Sequence, residues 1–395
     1  MRAGYGDGMN DIDADTDALL ALTLAGGPTA PRRTLLEIHR SAAAVRALPR
    51  QRWRDAGLEM AQIRALEGDP ATLEPTRVAH CRDWLRQPGH RLIGWQDSDY
   101  PPLLRRIGSP PLALFVAGDA TMLWCATVAV VGSRTPTVGG RDNARAFSRA
   151  LVAAGFGITS GLAAGVDRVA HEAALDTGGV TVAVLGTGPD VPYPQGHAAL
   201  LARIAGVGVV VSEHAPGTEA RREHFPSRNH IIAGLTLGTL VIEAASRSGA
   251  LITARLAAEG GREVFAVPGS IHNPMARGCH RLIRDGAALV ESADEVIAAL
   301  GSWAGALRGD LQRRLGGPTS ELGQEHAQVQ MTLPAPDLHD DPAHHRLWQA
   351  LGHDPSTMDQ LAERSGLTAA ALSAMLLRME LQGRVSVEHG RYSRR

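Results

Sequence analysis

Five short stretches of this chain gather glycine, hydroxyl and arginine side chains in patterns that suit an anion. The first is Gly132-Ser133-Arg134, directly after the apolar run Val128 to Val131 and ahead of a helix beginning near Gly139-Gly140. Small residues let backbone N–H groups approach a phosphate, a serine hydroxyl can donate to it, and a guanidinium can clamp it with two parallel bonds. A tight turn with a solvated arginine would give the same pattern. The second stretch, Ser160-Gly161-Leu162-Ala163-Ala164-Gly165-Val166-Asp167, follows the strand-like Gly157 to Thr159 and leads into a helix carrying His171. Asp167 reads as a helix cap and His171 as a packed, hydrogen-bonded histidine. Leu175 stands where a zincin helix needs its second histidine, so no metal is expected there.

The third stretch, Gly186-Thr187-Gly188-Pro189-Asp190, begins like a dinucleotide fingerprint, but Val191 replaces the third glycine. Pro189, Pro192 and Pro194 oppose the immediate helix that would hold a pyrophosphate. No nicotinamide or other cofactor is expected. The fourth, Arg221-Arg222-Glu223-His224-Phe225-Pro226-Ser227-Arg228-Asn229, is chemically the richest. Three arginines flank one phenylalanine, pairing backbone neutralisation with a face on which a base can stack. The alternative is a phenylalanine that plugs the core between solvated arginines. In the fifth, Glu243 to Thr253, backbone amides near Ser248 and Gly249 open a helix, Ser248 can cap it, and Glu243 reads as a loop anchor rather than a base.

These loops need a scaffold that brings them to one rim. Between about Thr127 and Leu300, apolar runs (TVAVV, GIT, TVAVL, VGVVVS, TLVIEA, EVFAVPG, AALV) alternate with helical segments. Continuous apolar strands separated by helices predict a parallel sheet covered on both faces. The expected fold class is therefore α/β, a Rossmann-like doubly wound, mostly parallel sheet. In such sheets the loops at the carboxyl ends of the strands line one crevice.

The flanks read differently. Residues 1–15 form an acidic start expected to be disordered, and 16–88 a small helical domain. The core is expected over 89–301, its first part an irregular bridge rich in proline pairs. A polar linker is expected over 302–342 and a winged-helix-like module over 343–395. In that module Gly366 occupies a helix-helix turn, and Val385 to Val387 with Arg391 to Ser393 form the wing. Its presumed recognition helix, about Thr368 to Leu381, holds only Arg378 as a basic residue, so a protein-contact or structural role suits it at least as well as reading duplex DNA.

Composition narrows the chemistry. With a net charge of −1, a polyanion must be held by a local cluster rather than by the global field. There is no lysine at all, which excludes the P-loop, lysine Schiff bases and Ser-Lys dyads. The 3 cysteines are widely spaced and suggest neither disulfides nor a metal site. No run is apolar enough for a membrane span and the start has no apolar signal core, so a cytoplasmic protein is expected. No GxSxG elbow or carboxylate pair stands out, and no catalytic activity is expected.

The ordered motifs carry a resemblance. From Tyr100-Pro101-Pro102 and Pro110-Pro111-Leu112 through VGSR, SGLAAGVDRVAH, GTGPDVPYP, SEHAPG, HFPSRNHIIAGL, SGALITAR and VFAVPG to GCHRLIRDGA, roughly half the chain resembles the DNA-processing protein A (DprA/Smf) family. That resemblance implies a Rossmann-like core that binds single-stranded DNA, forms a homodimer, and loads the RecA recombinase onto incoming strands in natural transformation or related recombination. Similar members carry a SAM-like helical N-terminal domain and a C-terminal winged helix. By motif, the implied DNA contacts are Ser133, Arg134, Gly161, Arg222, Phe225, Arg228, Asn229, Ser248 and Gly249. Arg222 stands where many members use lysine and keeps the charge. His230 stands where they have a second arginine, and its near-neutrality at pH 7 leaves that phosphate contact open. A rival reading is a nucleotide or phosphoribosyl hydrolase resembling the LOG family. Here Glu243-Ala244-Ala245-Ser246 lacks the PGGxGTxxE motif that reading requires.

Overall fold

The computed structural model describes residues 12–314 and, nearer the C-terminus, 346–348, 350–351, 355–381, 384–388 and 391–394. Two compact units emerge, the larger holding most of the first stretch and the smaller centred on the C-terminal residues.

Each apolar run of the alternating region becomes a strand. In chain order these are β3 (Thr127–Val131), β4 (Gly157–Ser160), β5 (Thr181–Leu185), β6 (Val209–Ser212), β7 (Gly238–Val241), β8 (Glu263–Ala266) and β9 (Ala288–Leu289). They pair in parallel, with β4 and β7 on either side of β3. Successive side chains of one strand serve opposite faces, as the pleat requires. Val128 and Val130 of β3 enter one apolar cluster and Ala129 and Val131 another, all of them at most 4% exposed. Helices on both faces explain why no polar alternation interrupts these strands.

The region expected to be an irregular bridge is ordered into two further strands. β1 (His90–Gly94) and β2 (Ala113–Gly118) pair antiparallel, with Leu92 opposite Phe115, and β2 pairs antiparallel to β6. The sheet thus runs β1-β2-β6-β5-β4-β3-β7-β8-β9. Proline disguised these strands in the sequence. Pro101, Pro102, Pro110 and Pro111 all fall in the connection between them, where no ladder N–H is needed.

Helices from Ala14–Leu24 to Pro75–Leu85 make up the N-terminal segment. The first begins at Ala14, one residue before the expected end of the acidic start, capped by the Asp13 carboxylate, which accepts from the Thr16 N–H at 2.6 Å. The rest of that start, residues 1–11, lies outside the described residues. The helical segment shares its core with the sheet: Leu19, Leu22, Leu36 and Trp84 cluster with Phe115, Leu185 and Val210.

The expected linker is also corrected at its start. The helix Ala293–Arg314 runs through residues 302–314. Leu300, Ala304 and Leu307, spaced one turn apart, are buried against the sheet's far face. Burying the two leucines contributes roughly 1.5–3 kcal/mol each, which outweighs the cost of Gly301 and Gly305, about 1 kcal/mol each. The remainder of that linker lies outside the described residues.

The smaller unit holds helices Met358–Ser365 and Ala369–Leu381, joined through Gly366 in the left-handed region at φ 67°. β10 (Ser356–Thr357), β11 (Val385–Glu388) and β12 (Arg391–Arg394) form its sheet in the order β10-β12-β11, which is the helix-turn-helix and wing read from the sequence.

Candidate nucleic-acid interface

Strand order locates the crevice. The chain leaves β3 toward β4 on one side, and leaves β7 toward β8 on the other. Adjacent strands with diverging exits make a topological switch point, where open α/β sheets bind ligands. A groove of ≈ 680 Å³ lies there, lined by residues of four of the five predicted stretches, among them Gly132, Arg134, Ala163, Arg222, Phe225 and Ser248. The third stretch contributes through its continuation, by way of Tyr193.

The groove has a charged, aromatic rim. Arg134 and Arg222 are exposed, and neither forms an ion pair among the described residues. The Arg134 guanidinium carbon stands 5.9 Å from the centre of the Phe225 ring, within cation–π range. Phe225 is half-buried rather than a core plug. Behind it His224 stacks on His214 at 3.9 Å and 17°, and its Nδ1 lies 3.2 Å from the Gly186 carbonyl. Burial holds His214 down at about 4, so it is neutral at pH 7, with His224 and Arg221 acting in the same direction. Ser248 and Gly249 face the groove at the start of helix Ala250–Glu259. The Ser248 hydroxyl accepts from the Ala250 N–H at 3.3 Å, and no side chain caps the helix at Gly249.

Beneath the rim is a buried floor, and four expected contact residues belong to it. Arg228 is only 5% exposed. Its Nε donates to the Asn229 Oδ1 at 3.0 Å and its Nη1 to the Val184 carbonyl. Asn229, also buried, directs its amide at the Gly249 carbonyl at 3.5 Å and so links the fourth stretch to the fifth. Gly161 is glycine because of Arg228: a Cβ there would stand 2.0 Å from the guanidinium. Ser133 is turned inward as well, its Oγ accepting from the Thr135 N–H at 3.1 Å and lying 3.6 Å from the Met275 sulfur.

Asp167 completes the floor and departs from the expected helix cap. It sits in the first turn of helix Val166–Asp176, whose N-cap is Gly165, and braces the loop before it instead. Its Oδ2 accepts from the Gly161 N–H at 3.1 Å and the Ala163 N–H at 3.3 Å. Gly165 permits this fold-back: it adopts φ +85°, and a Cβ there would meet the Ser133 carbonyl at 2.3 Å. Burial raises the Asp167 carboxyl, opposed first by the Arg228 guanidinium and then by those N–H groups. Burial likewise pulls Arg228 down to about 10, with Asp167 opposing, so Arg228 remains charged at pH 7.

Other residues hold as read. His171 is buried with its Nδ1 2.7 Å from the Thr181 hydroxyl, and burial takes it down to about 3. Glu243 is buried and accepts from Asn273 at 3.2 Å, as a loop anchor would. His230 is half-buried, its Nδ1 donating to the Ser227 carbonyl. Sequence reasoning missed Tyr193, whose ring centre lies 4.7 Å from that of Phe225. The signal was available: the chain has only 4 tyrosines, and this one stands between two prolines in a glycine-rich strand-end loop.

Known proteins are similar to this chain in sequence and fold. A family model described as DNA recombination-mediator protein A matches residues 91–301, and one described as DprA winged helix domain matches residues 331–391. The chain is 40% identical over 327 residues to Protein Smf of Synechocystis, which covers 78% of this chain and 81% of the relative. It is 36% identical over 394 residues to a putative DNA processing protein DprA of Mycobacterium tuberculosis, covering 96% and 95%. Among solved structures, DNA processing protein A from Streptococcus pneumoniae is similar with a TM-score of 0.64 at 35% identity, over 72% of this chain and 97% of that one.

Proposed function

Since the chain belongs to the DNA-processing protein A (DprA/Smf) family of DNA recombination mediators, we propose that its groove is where it holds single-stranded DNA, without turnover. The observation that carries this reading is the convergence of Arg134, Arg222 and Phe225 on one groove at the switch point of the sheet. Unpaired guanidinium groups grip a sugar-phosphate backbone, and ring faces accept bases of any sequence. A duplex hides its base faces, so the same rim discriminates against it.

Within this reading Arg134, Arg222, Phe225, Ser248 and Gly249 contact the strand. Ser133, Gly161, Arg228 and Asn229 hold the contact residues in place. The protein hands the coated strand to the RecA recombinase and works as a homodimer, in natural transformation or related recombination in the cytoplasm. A hydrolase is disfavoured because Glu243 is engaged with Asn273 at the strand end where the rival motif would lie.

A salt-titrated binding assay comparing single-stranded with duplex oligonucleotides tests the proposal. The single strand is expected to bind more tightly, with affinity falling as salt rises by a slope of about −0.7 for each neutralised phosphate. Equal affinity for duplex, or release of free base from nucleoside monophosphates, would count against it.

A further inference from the structure

The rim holds one more aromatic ring than the DNA-binding reading uses. Tyr193 is 42% exposed and lines the groove. Its ring lies 4.7 Å from that of Phe225 at a tilt of 38°. Phe225 is the more enclosed of the two. Besides Tyr193 it has the Arg134 guanidinium over its ring, and Gly186 lies so close that an added Cβ would sit 3.2 Å from its Cδ1.

The loop that carries Tyr193 is fixed before any ligand arrives. The Thr187 hydroxyl donates to the Val191 carbonyl at 2.7 Å, the Gly188 N–H to the Thr218 carbonyl at 2.9 Å, and the Gly217 N–H to Asp190 at 2.8 Å. Pro192 and Pro194 restrict the backbone on either side. A large ring left exposed on a pinned loop, beside guanidinium groups with no carboxylate partner among the described residues, suits a flat ligand that is also anionic. A nucleotide unit of a strand fits that description.

We infer that Tyr193 is the outer base-stacking platform of the groove, with Phe225 as the ring that backs it. The inference rests on the single-strand reading given above. Phe225 keeps its own contact with the strand and also supports Tyr193, whose face meets the nucleobase while Arg134 and Arg222 take the flanking phosphates.

The test uses the full-length protein and two single strands of equal length, one of thymidine nucleotides and one of abasic phosphodiester units. Tyr193→Ala is expected to weaken binding of the thymidine strand by about five- to a hundredfold and to change binding of the abasic strand by no more than about twofold. Tyr193→Phe, which keeps the ring, is expected to bind as the parent does. Equal losses on both strands, or none on either, would overturn the inference, as would failure of Tyr193→Phe to restore binding. Parent protein that binds neither strand would overturn the single-strand reading and this inference together. Parent protein that prefers the base-bearing strand, with Tyr193→Ala keeping that preference, would overturn this inference alone.

Discussion

The rim and the floor of the groove are built from the same loops, yet their arginines are employed in opposite ways. Arg134 and Arg222 are exposed and without ion pairs among the described residues, whereas Arg228 is 5% exposed and donates to Asn229 and Val184. The fourth stretch thus contains both a guanidinium open to solvent and one that fixes the loop. A charge is cheap to hold at the rim, where water solvates it. On the floor it persists because Asp167 lies near and because hydrogen bonds satisfy it. On the proposed single-strand reading the rim sets affinity and the floor sets geometry, and variants in the two places should fail in different assays.

The largest effect is expected from Arg228→Ala. It removes the charge that opposes the cost of burying Asp167 and takes the donor from the Asn229 Oδ1 and the Val184 carbonyl, a loss of about 1–3 kcal/mol for each buried group left unsatisfied. Denaturant unfolding should show a clearly lowered midpoint; an unchanged midpoint would erase the distinction between rim and floor. Gly161→Ala comes next, because its Cβ would stand 2.0 Å from the Arg228 guanidinium. Such overpacking costs about 1–3 kcal/mol, and the same unfolding measurement reads it.

Acidity sharpens the comparison from another side. His171 lies beneath the groove loops, and burial lowers it to about 3 in the folded chain. The unfolded chain takes up that proton near pH 6.5. Stability is thus complete above about pH 6.5 and is lost as the pH falls from there toward 3, at up to about 1.4 kcal/mol per pH unit from this one group. In His171→Gln the slope of unfolding free energy against pH should be shallower across that window.

Much of this arrangement was legible in the sequence. The alternating runs predicted β3 to β9, because buried parallel strands need unbroken apolar character. The convergence of Arg134 and Phe225 followed from placing both at strand carboxyl ends. What was not legible was direction. Nothing in the spacing of Arg222 and Arg228 says which points outward; that is set by Gly161 and Asp167, which come from a different loop. β1 and β2 were hidden because proline pairs lie between them, and the helix over 302–314 because its glycines masked the leucine spacing.

The smallest stability effects are expected at the rim. Arg222→Ala should leave unfolding free energy within about 0.5 kcal/mol of the parent, while flattening the salt dependence of single-strand binding by about 0.7 in slope. Loss of stability here would mean that Arg222 also braces the loop.

The most direct test of the central claim is the affinity of Arg134→Ala and Phe225→Ala for a single-stranded oligonucleotide, each measured across a salt titration. Both variants are expected to bind more weakly than the parent, with the salt slope reduced in Arg134→Ala and retained in Phe225→Ala. Parental affinity and parental slope in both variants would contradict the account, because the groove would then not be where the strand is held.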